Sequence, residues 1–160
     1  MKYWLIKSEG DCYSIDDLKK DKVTAWTGVR NFQARNFMRD DMKVGDLVFF
    51  YHSSSKSDEN PNGIYGIAKV ASKPHEDDTA FDVNDEHYDP DSIMNQLTGG
   101  DPTWVCVDMA FVKKFSKPFT LEQIKKNKEL KKMEVAKVGQ RLSIMPVEEK
   151  HFKMIEKLIK

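Results

Sequence analysis

The apolar residues of this chain fall into short alternating runs rather than long helical stripes. Lys2–Lys7 sets Tyr3 and Leu5 against Trp4 and Ile6, which predicts a strand with bulk on both faces. Leu47–His52 repeats the pattern, with Leu47, Phe49 and Tyr51 opposite Val48, Phe50 and His52. A polar loop, Ser53–Gly63, contains Asn-Pro-Asn-Gly and leads into a strand at Ile64–Ala71, so these two strands are expected to pair antiparallel. Gly66 inside the second of them marks a bulge or a close backbone approach. Thr103–Phe115 predicts another strand, with Val105, Val107, Met109 and Phe111 on one face and a break at Pro118. A last strand is expected at Arg141–Met145, entered through Gly139 and closed by Pro146.

The helices predicted are short. Ser14–Asp17 reads as a capping box before a helix to Lys20, and Thr120–Gln123 as a second one before a helix through Lys126. Further helices are expected at Arg30–Arg39, at Lys128–Met133 and at Glu148–Ile159, the last burying Phe152, Ile155 and Ile159. Val23–Trp26 is a short extended piece. Residues 72–102 are acidic and rich in Asp, Pro and Gly, an irregular excursion with one helical turn near Ser92–Leu97. The mixed order has no βαβ rhythm and no repeat. It predicts an α+β chain, a small barrel or strongly curved sheet of about five strands with helices outside. A length of 160 residues suits one domain over 1–160.

Charge changes this picture more than composition does. The formal net charge is zero, so no uniform attraction to a polyanion is expected. The charges are unevenly placed, however. Glu76–Asp91 holds eight acids and no Lys or Arg, while Lys113–Lys160 holds fourteen Lys plus Arg against six acids. This reads either as a solvated acidic loop beside Lys-rich helix faces, or as one basic face that meets phosphate and one acidic face that does not. The chain starts without a signal-peptide pattern and has no run long enough to span a membrane, so a cytoplasmic protein without membrane partners is expected, and the sequence leaves the oligomeric state open, with a monomer slightly favoured. Cys12 and Cys106 read as reduced thiols.

The densest chemistry lies in Val23–Met38, where Trp26, Gly28, Arg30, Asn31, Arg35 and Asn36 crowd together. Planar, fork-shaped groups suit a flat, nucleobase-like ligand. Trp26 beside Gly28 is a candidate stacking platform, or else a core tryptophan; Trp4 has the same two readings. Asn31 offers a donor and an acceptor to a base edge, and Asn36 could do so or cap the helix. Arg30 and Arg35 could grip phosphate, or brace the fold by pairing with Asp46 or Asp108. Lys7 and Ser8 end the first strand, and His52 and Ser53 end the next one, so they could converge on one rim. Catalysis has little support. No nucleophile elbow appears, His52, His75, His87 and His151 show no zinc spacing with either cysteine, and no phosphate-loop glycine pattern exists. No cofactor and no metal are expected.

Spread along the chain are blocks that resemble the EVE domain, of the PUA-like superfamily to which YTH domains also belong. They include Tyr3-Trp-Leu-Ile-Lys-Ser-Glu9, Trp26-Thr-Gly-Val-Arg-Asn-Phe-Gln-Ala-Arg-Asn36, Met42-Lys-Val-Gly-Asp46, Gly63-Ile-Tyr-Gly-Ile-Ala68, Tyr88-Asp-Pro90 and Arg141-Leu-Ser-Ile-Met-Pro-Val147. The resemblance implies a PUA-like mixed, mostly antiparallel barrel of five to six strands with flanking short helices. It also implies a binding module for DNA or RNA that holds a modified base in an aromatic-walled pocket. The base would leave its stack to enter. By this resemblance Arg141, Leu142 and Ser143 add a further pocket edge, beside Trp4, Lys7, Ser8, Trp26, Gly28, Val29, Arg30, Asn31, His52 and Ser53. The chain departs from the family pattern at Gly10, where proline is usual, at Thr27, where aspartate is common, and at Met145, where glutamine is common. RNA binding without modification selectivity, and binding of a free nucleotide or other small molecule, are the alternative readings.

Overall fold

The computed structural model describes residues 1–53 and 59–159; part of the expected loop Ser53–Gly63 therefore lies outside the described residues. Eight strands and five α-helices are described: β1 (Tyr3–Glu9), α1 (Ile15–Asp21), β2 (Val23–Ala25), α2 (Phe32–Asn36), β3 (Leu47–Ser53), β4 (Gly63–Val70), β5 (His75–Glu76), α3 (Pro90–Leu97), β6 (Val105–Cys106), β7 (Asp108–Thr120), α4 (Leu121–Lys126), β8 (Ile144–Val147) and α5 (Glu149–Leu158). Six strands form one curled sheet in the order β2-β7-β4-β3-β1-β8, and β5 pairs with β6 apart from it. Every neighbouring pair in the large sheet is antiparallel except β1 with β3. This is the α+β half-barrel with short helices that the strand pattern predicts.

The two-sided strands explain the layering. Trp4 and Ile6 on β1, and Val48 and Phe50 on β3, pack with Ile15, Leu18 and Met38 on one side of the sheet. Leu5, Phe49 and Tyr51 face the other side and meet Ile124, Leu130, Phe152 and Ile155 from the C-terminal helices. Each fully buried side chain of this size contributes roughly 1.5–3 kcal/mol, so β1 and β3 are held from both faces. Trp4 is part of this core at 2% exposure, and its indole N–H donates to buried Asp46 Oδ2 at 3.0 Å. That corrects its reading as a pocket wall. Alternation fixes which residues share a face, but not which face opens to solvent.

Local signals held where they were local. Both capping boxes form, at Ser14 with Asp17 and at Thr120 with Gln123. The expected helix at Arg30–Arg39 starts later, because Asn31 is its cap: Ala34 N–H donates to Asn31 Oδ1 at 3.0 Å. It ends in a wide π-type turn, Phe37–Asp41. Phe37 turns inward against Trp4, with ring centroids 5.3 Å apart, whereas Phe32 stays 59% exposed.

The prolines end nothing. β7 runs through Pro118 because Ile64 pairs with Phe119 while Gly66 pairs with Lys114, which leaves the residues between off the ladder in a bulge. β8 begins at Ile144, three residues later than expected, and continues through Pro146 as the edge strand of the sheet, where a missing donor is tolerated. Arg141, Leu142 and Ser143 therefore form the approach to β8, not its body. Gly66 proves to be a close approach. A Cβ there would lie 2.3 Å from the Lys113 carbonyl oxygen and 2.9 Å from Ile15 Cδ1. Gly66→Ala is thus expected to destabilise the fold by about 1–3 kcal/mol, the usual cost of overpacking, read as a lower denaturant midpoint at unchanged slope.

Candidate nucleic-acid interface

The end of β1, the turn after it and the segment from β2 to the cap of α2 enclose a cleft of about 710 Å³. It brings together Lys7, Ser8, Trp26, Gly28, Val29, Arg30, Asn31, Arg141 and Ser143, and adds Cys12, Tyr13, Thr27, Glu86 and His87. Trp26 is half-buried, with Phe50 and Tyr13 meeting it at steep angles of 82° and 74°. Its backbone N–H donates to the Val107 carbonyl at 2.9 Å, which ties this segment to the sheet.

The opposite wall comes from the acidic excursion, which sequence reasoning treated as a loop. The anchor is Asp77, fully buried at 0% exposure. Its carboxylate accepts from the Gly28 N–H at 2.8 Å, from Arg30 at 3.0 Å, and from both the backbone N–H and the hydroxyl of Thr79. Burial works against its charge, but the bonds from Thr79, Gly28 and Arg30 prevail and hold its carboxyl below the usual range. Arg30 is saturated: it also donates to the His87 carbonyl, the Val29 carbonyl and Thr79 Oγ1. Arg30 therefore braces the excursion against the Trp26–Asn31 segment, and its expected partners, Asp46 and Asp108, are engaged with Trp4 and His75 instead. Gly28 has φ +85, and a Cβ there would lie 2.7 Å from the His87 ring. Both the left-handed backbone and the missing side chain are needed to admit that wall.

Lys7 is half-buried at the cleft and donates to the Gln140 carbonyl at 3.2 Å; burial lowers its pKa. It leaves two ammonium hydrogens for an acceptor in the cleft. Arg141 is exposed on the rim and meets no carboxylate among the described residues. Glu9 and Glu86 supply negative charge to the same walls. Asn31 spends its carbonyl oxygen on the helix cap, so what it can present is its amide N–H pair.

Four expected pocket residues lie elsewhere. Trp4 is core. Leu142 packs against the C-terminal hydrophobic layer. His52 and Ser53 border a separate cleft on the far side of the Glu9–Ser14 turn. His52 is structural there: the Ile15 N–H donates to its Nε2 at 3.1 Å, and its ring stacks on Tyr65 at 3.9 Å. Burial pushes its pKa down to about 4. Unfolded, the imidazole would protonate near pH 6.5; folded, it does not until about pH 4. The folded state therefore loses stability as pH falls from about 6.5 to about 4. His52→Gln keeps an acceptor and does not titrate, so it is expected to flatten that stretch of the curve of melting temperature against pH. An unchanged slope would place the effect at another group.

Arg35 is not on the cleft. Its guanidinium donates to the Thr103 carbonyl and Asn36 Oδ1 and lies against the rings of Phe32 and Trp104. Cys106, His75 and Asp108 come together as a catalytic triad might, but without its geometry. The sulfur lies 3.6 and 3.8 Å from the two ring nitrogens, not aligned on one, and burial pushes the thiol up to about 12. Such a thiol is no nucleophile at neutral pH. Cys12, by contrast, is exposed. Among the described residues no helix is long and apolar enough to cross a membrane.

The curled, mostly antiparallel six-stranded sheet with short helices around it is consistent with a PUA-like fold, and the polar cleft beside Trp26 and Tyr13 lies at its rim. More narrowly, the chain belongs to the EVE domain family, whose pattern matches residues 2–158. It is 38% identical to thymocyte nuclear protein 1 of Mus musculus over 96% of this chain and 71% of that protein. Among solved structures it resembles a protein from Pseudomonas syringae, with TM-score 0.88 and 37% identity over 99% of each chain. It also resembles human THYN1 in complex with 5-methylcytosine-containing DNA, with TM-score 0.87 and 36% identity over 100% of this chain and 98% of that one.

Proposed function

We propose that this protein binds DNA and recognises a modified base, 5-methylcytosine or a close analogue, extruded from its stack into the cleft beside Trp26. The observation that carries the reading is that half-buried indole on a cleft of about 710 Å³, roomy enough for one pyrimidine nucleotide. The likeness to human THYN1 bound to 5-methylcytosine DNA supports it. An extruded base can stack on an aromatic for roughly 1–3 kcal/mol and be read on its hydrogen-bonding edge. Here the edge readers are Asn31 amide hydrogens, Lys7, and the Ser8, Thr27 and Ser143 hydroxyls. A cytosine presents its N4 amino group as a donor and O2 and N3 as acceptors, which this mixed set can satisfy. The 5-methyl group adds apolar surface for the indole and Tyr13. Binding rather than catalysis is the role, and an intracellular setting goes with it.

The test is a binding panel by fluorescence anisotropy. Duplex and single-stranded DNA and RNA of one sequence are compared, each with cytosine or 5-methylcytosine at one position. The expected result is at least tenfold tighter binding of methylated over plain duplex DNA. Equal affinity for methylated and plain strands would overturn the reading and leave a general nucleic-acid binder. Tight binding of a free nucleotide with no gain from a strand would leave a small-molecule receptor.

A further inference from the structure

Beyond the wall that closes the base cleft lies a second aromatic site. Phe32 opens α2, directly after the cleft residue Asn31, and is 59% exposed. Its ring is stacked on Trp104, with centroids 4.9 Å apart and planes at 22°. Trp104 is itself fixed: it is 8% exposed, and its indole N–H donates to Asp89 Oδ2 at 2.8 Å. Two guanidinium groups flank the pair, Arg35 4.8 Å from the Phe32 ring centre and Arg30 5.3 Å from that of Trp104. Arg30 is neutralised by Asp77, but Arg35 meets no carboxylate within salt-bridge distance among the described residues. Phe32 borders a shallow groove that shares Arg30, Glu86 and His87 with the base cleft. The two sites are separated by that one layer of side chains.

Extruding a base from a duplex leaves a gap, and the neighbouring base loses one stacking face. A rigidly backed aromatic ring one partition away from the cleft, with a guanidinium against it that has no carboxylate within salt-bridge distance among the described residues and keeps two N–H groups beyond its bonds to Asn36 and Thr103, meets both needs of the adjoining nucleotide: a flat partner for its base and a cation for its phosphate. We infer that Phe32 is a second stacking platform, which takes the base next to the extruded one, with Arg35 holding the intervening phosphate. The acids of the groove fit this arrangement. Asp89 and Asp91 line the groove and repel phosphate, whereas Arg35 lies outside that lining against the Phe32 ring, so the strand must turn its bases toward the ring and its backbone toward Arg35. Phe32 thus contributes to strand binding and to holding the base out, and makes no contribution to reading the modification.

The inference rests on the base-cleft reading, and the test separates the two. Duplex DNA is prepared with one 5-methylcytosine and 2-aminopurine as its neighbour, whose fluorescence reports stacking. The free nucleoside 5-methyl-2′-deoxycytidine, titrated by NMR, probes the cleft alone. Phe32→Ala is expected to weaken duplex binding at least tenfold and to change the 2-aminopurine signal, while nucleoside binding stays within twofold. Phe32→Tyr should restore duplex binding, and Phe32→Leu, which preserves apolar cover over Trp104, should not. The Leu variant also serves if the Ala variant fails to fold. Duplex affinity within twofold of the parent in the Ala or Leu variant overturns the inference, and so does an equal loss of nucleoside and duplex binding. Failure of the underlying reading shows in the unsubstituted protein, as no preference for the methylated duplex.

Discussion

Trp26→Ala is expected to lose selective binding of a methylated duplex, with affinity falling about ten- to a hundredfold, while the chain still folds. The size follows from the 1–3 kcal/mol that one base gains by stacking on an aromatic side chain. Folding survives because Trp26 sits half-buried at the margin of its hydrophobic layer, in contact with Phe50 and Tyr13, while Ile6, Val48, Met109 and their neighbours fill the layer without it. The stability cost should therefore stay below the 3–5 kcal/mol typical of a fully buried tryptophan. Trp26→Phe keeps a flat ring and should recover most of the affinity. Anisotropy titrations of paired methylated and plain duplexes decide the matter. A Trp26→Ala protein that still prefers the methylated strand as the parent does would move the base to another site.

The largest effect on stability is expected at Asp77. Asp77→Ala removes the sole carboxylate that satisfies the Gly28 N–H, Arg30 and Thr79 together, and leaves a partly buried guanidinium without its counter-charge. Breaking a buried pair in this way costs about 3–5 kcal/mol, or a fall in melting temperature of roughly 10 °C for a chain of this size. Removing Arg30 as well should recover only part of the loss, since the Gly28 and Thr79 N–H groups still lack an acceptor. The pH dependence has a fixed sign. The folded carboxyl lies below its unfolded value, so its contribution is complete above about pH 4 and is lost as pH falls through the folded pKa. That window lies beneath the one expected for His52, so the two groups separate in a single titration. Because Asp77 ties the excursion to the cleft, Asp77→Ala should also weaken DNA binding. A melting temperature within 2 °C of the parent would show that Asp77 is not the anchor.

These two residues mark where the sequence was legible and where it was not. Trp26 could be found because a tryptophan, a glycine, two arginines and two asparagines stand within one short run. Asp77 could not, because its partners are 47 and 49 residues away and it lies among eight acids of similar appearance. The available signal was indirect: Asp77 with Thr79 has the spacing of a side-chain-capped turn. Capping boxes and the β3–β4 pairing were legible because neighbours in sequence determine them. Trp4 was misplaced because period-two alternation says nothing about which face of a curled sheet is sealed. Pro118 and Pro146 were read as stops because a bulge and an edge position, both set by distant strands, cannot be seen locally.

Strand β1 has consequences for how the protein is made. It is synthesised before both of its partners, β3 and, later still, β8. Until residues 144–147 have been synthesised, one border of β1 stays open, with unpaired backbone groups beside Trp4, Leu5 and Ile6 that invite aggregation. Arg141 and Ser143 are positioned by that same closing strand, so a nascent or clipped chain cannot complete the rim of its cleft. Only once β8 is in place is that border of β1 covered and the cleft rim complete.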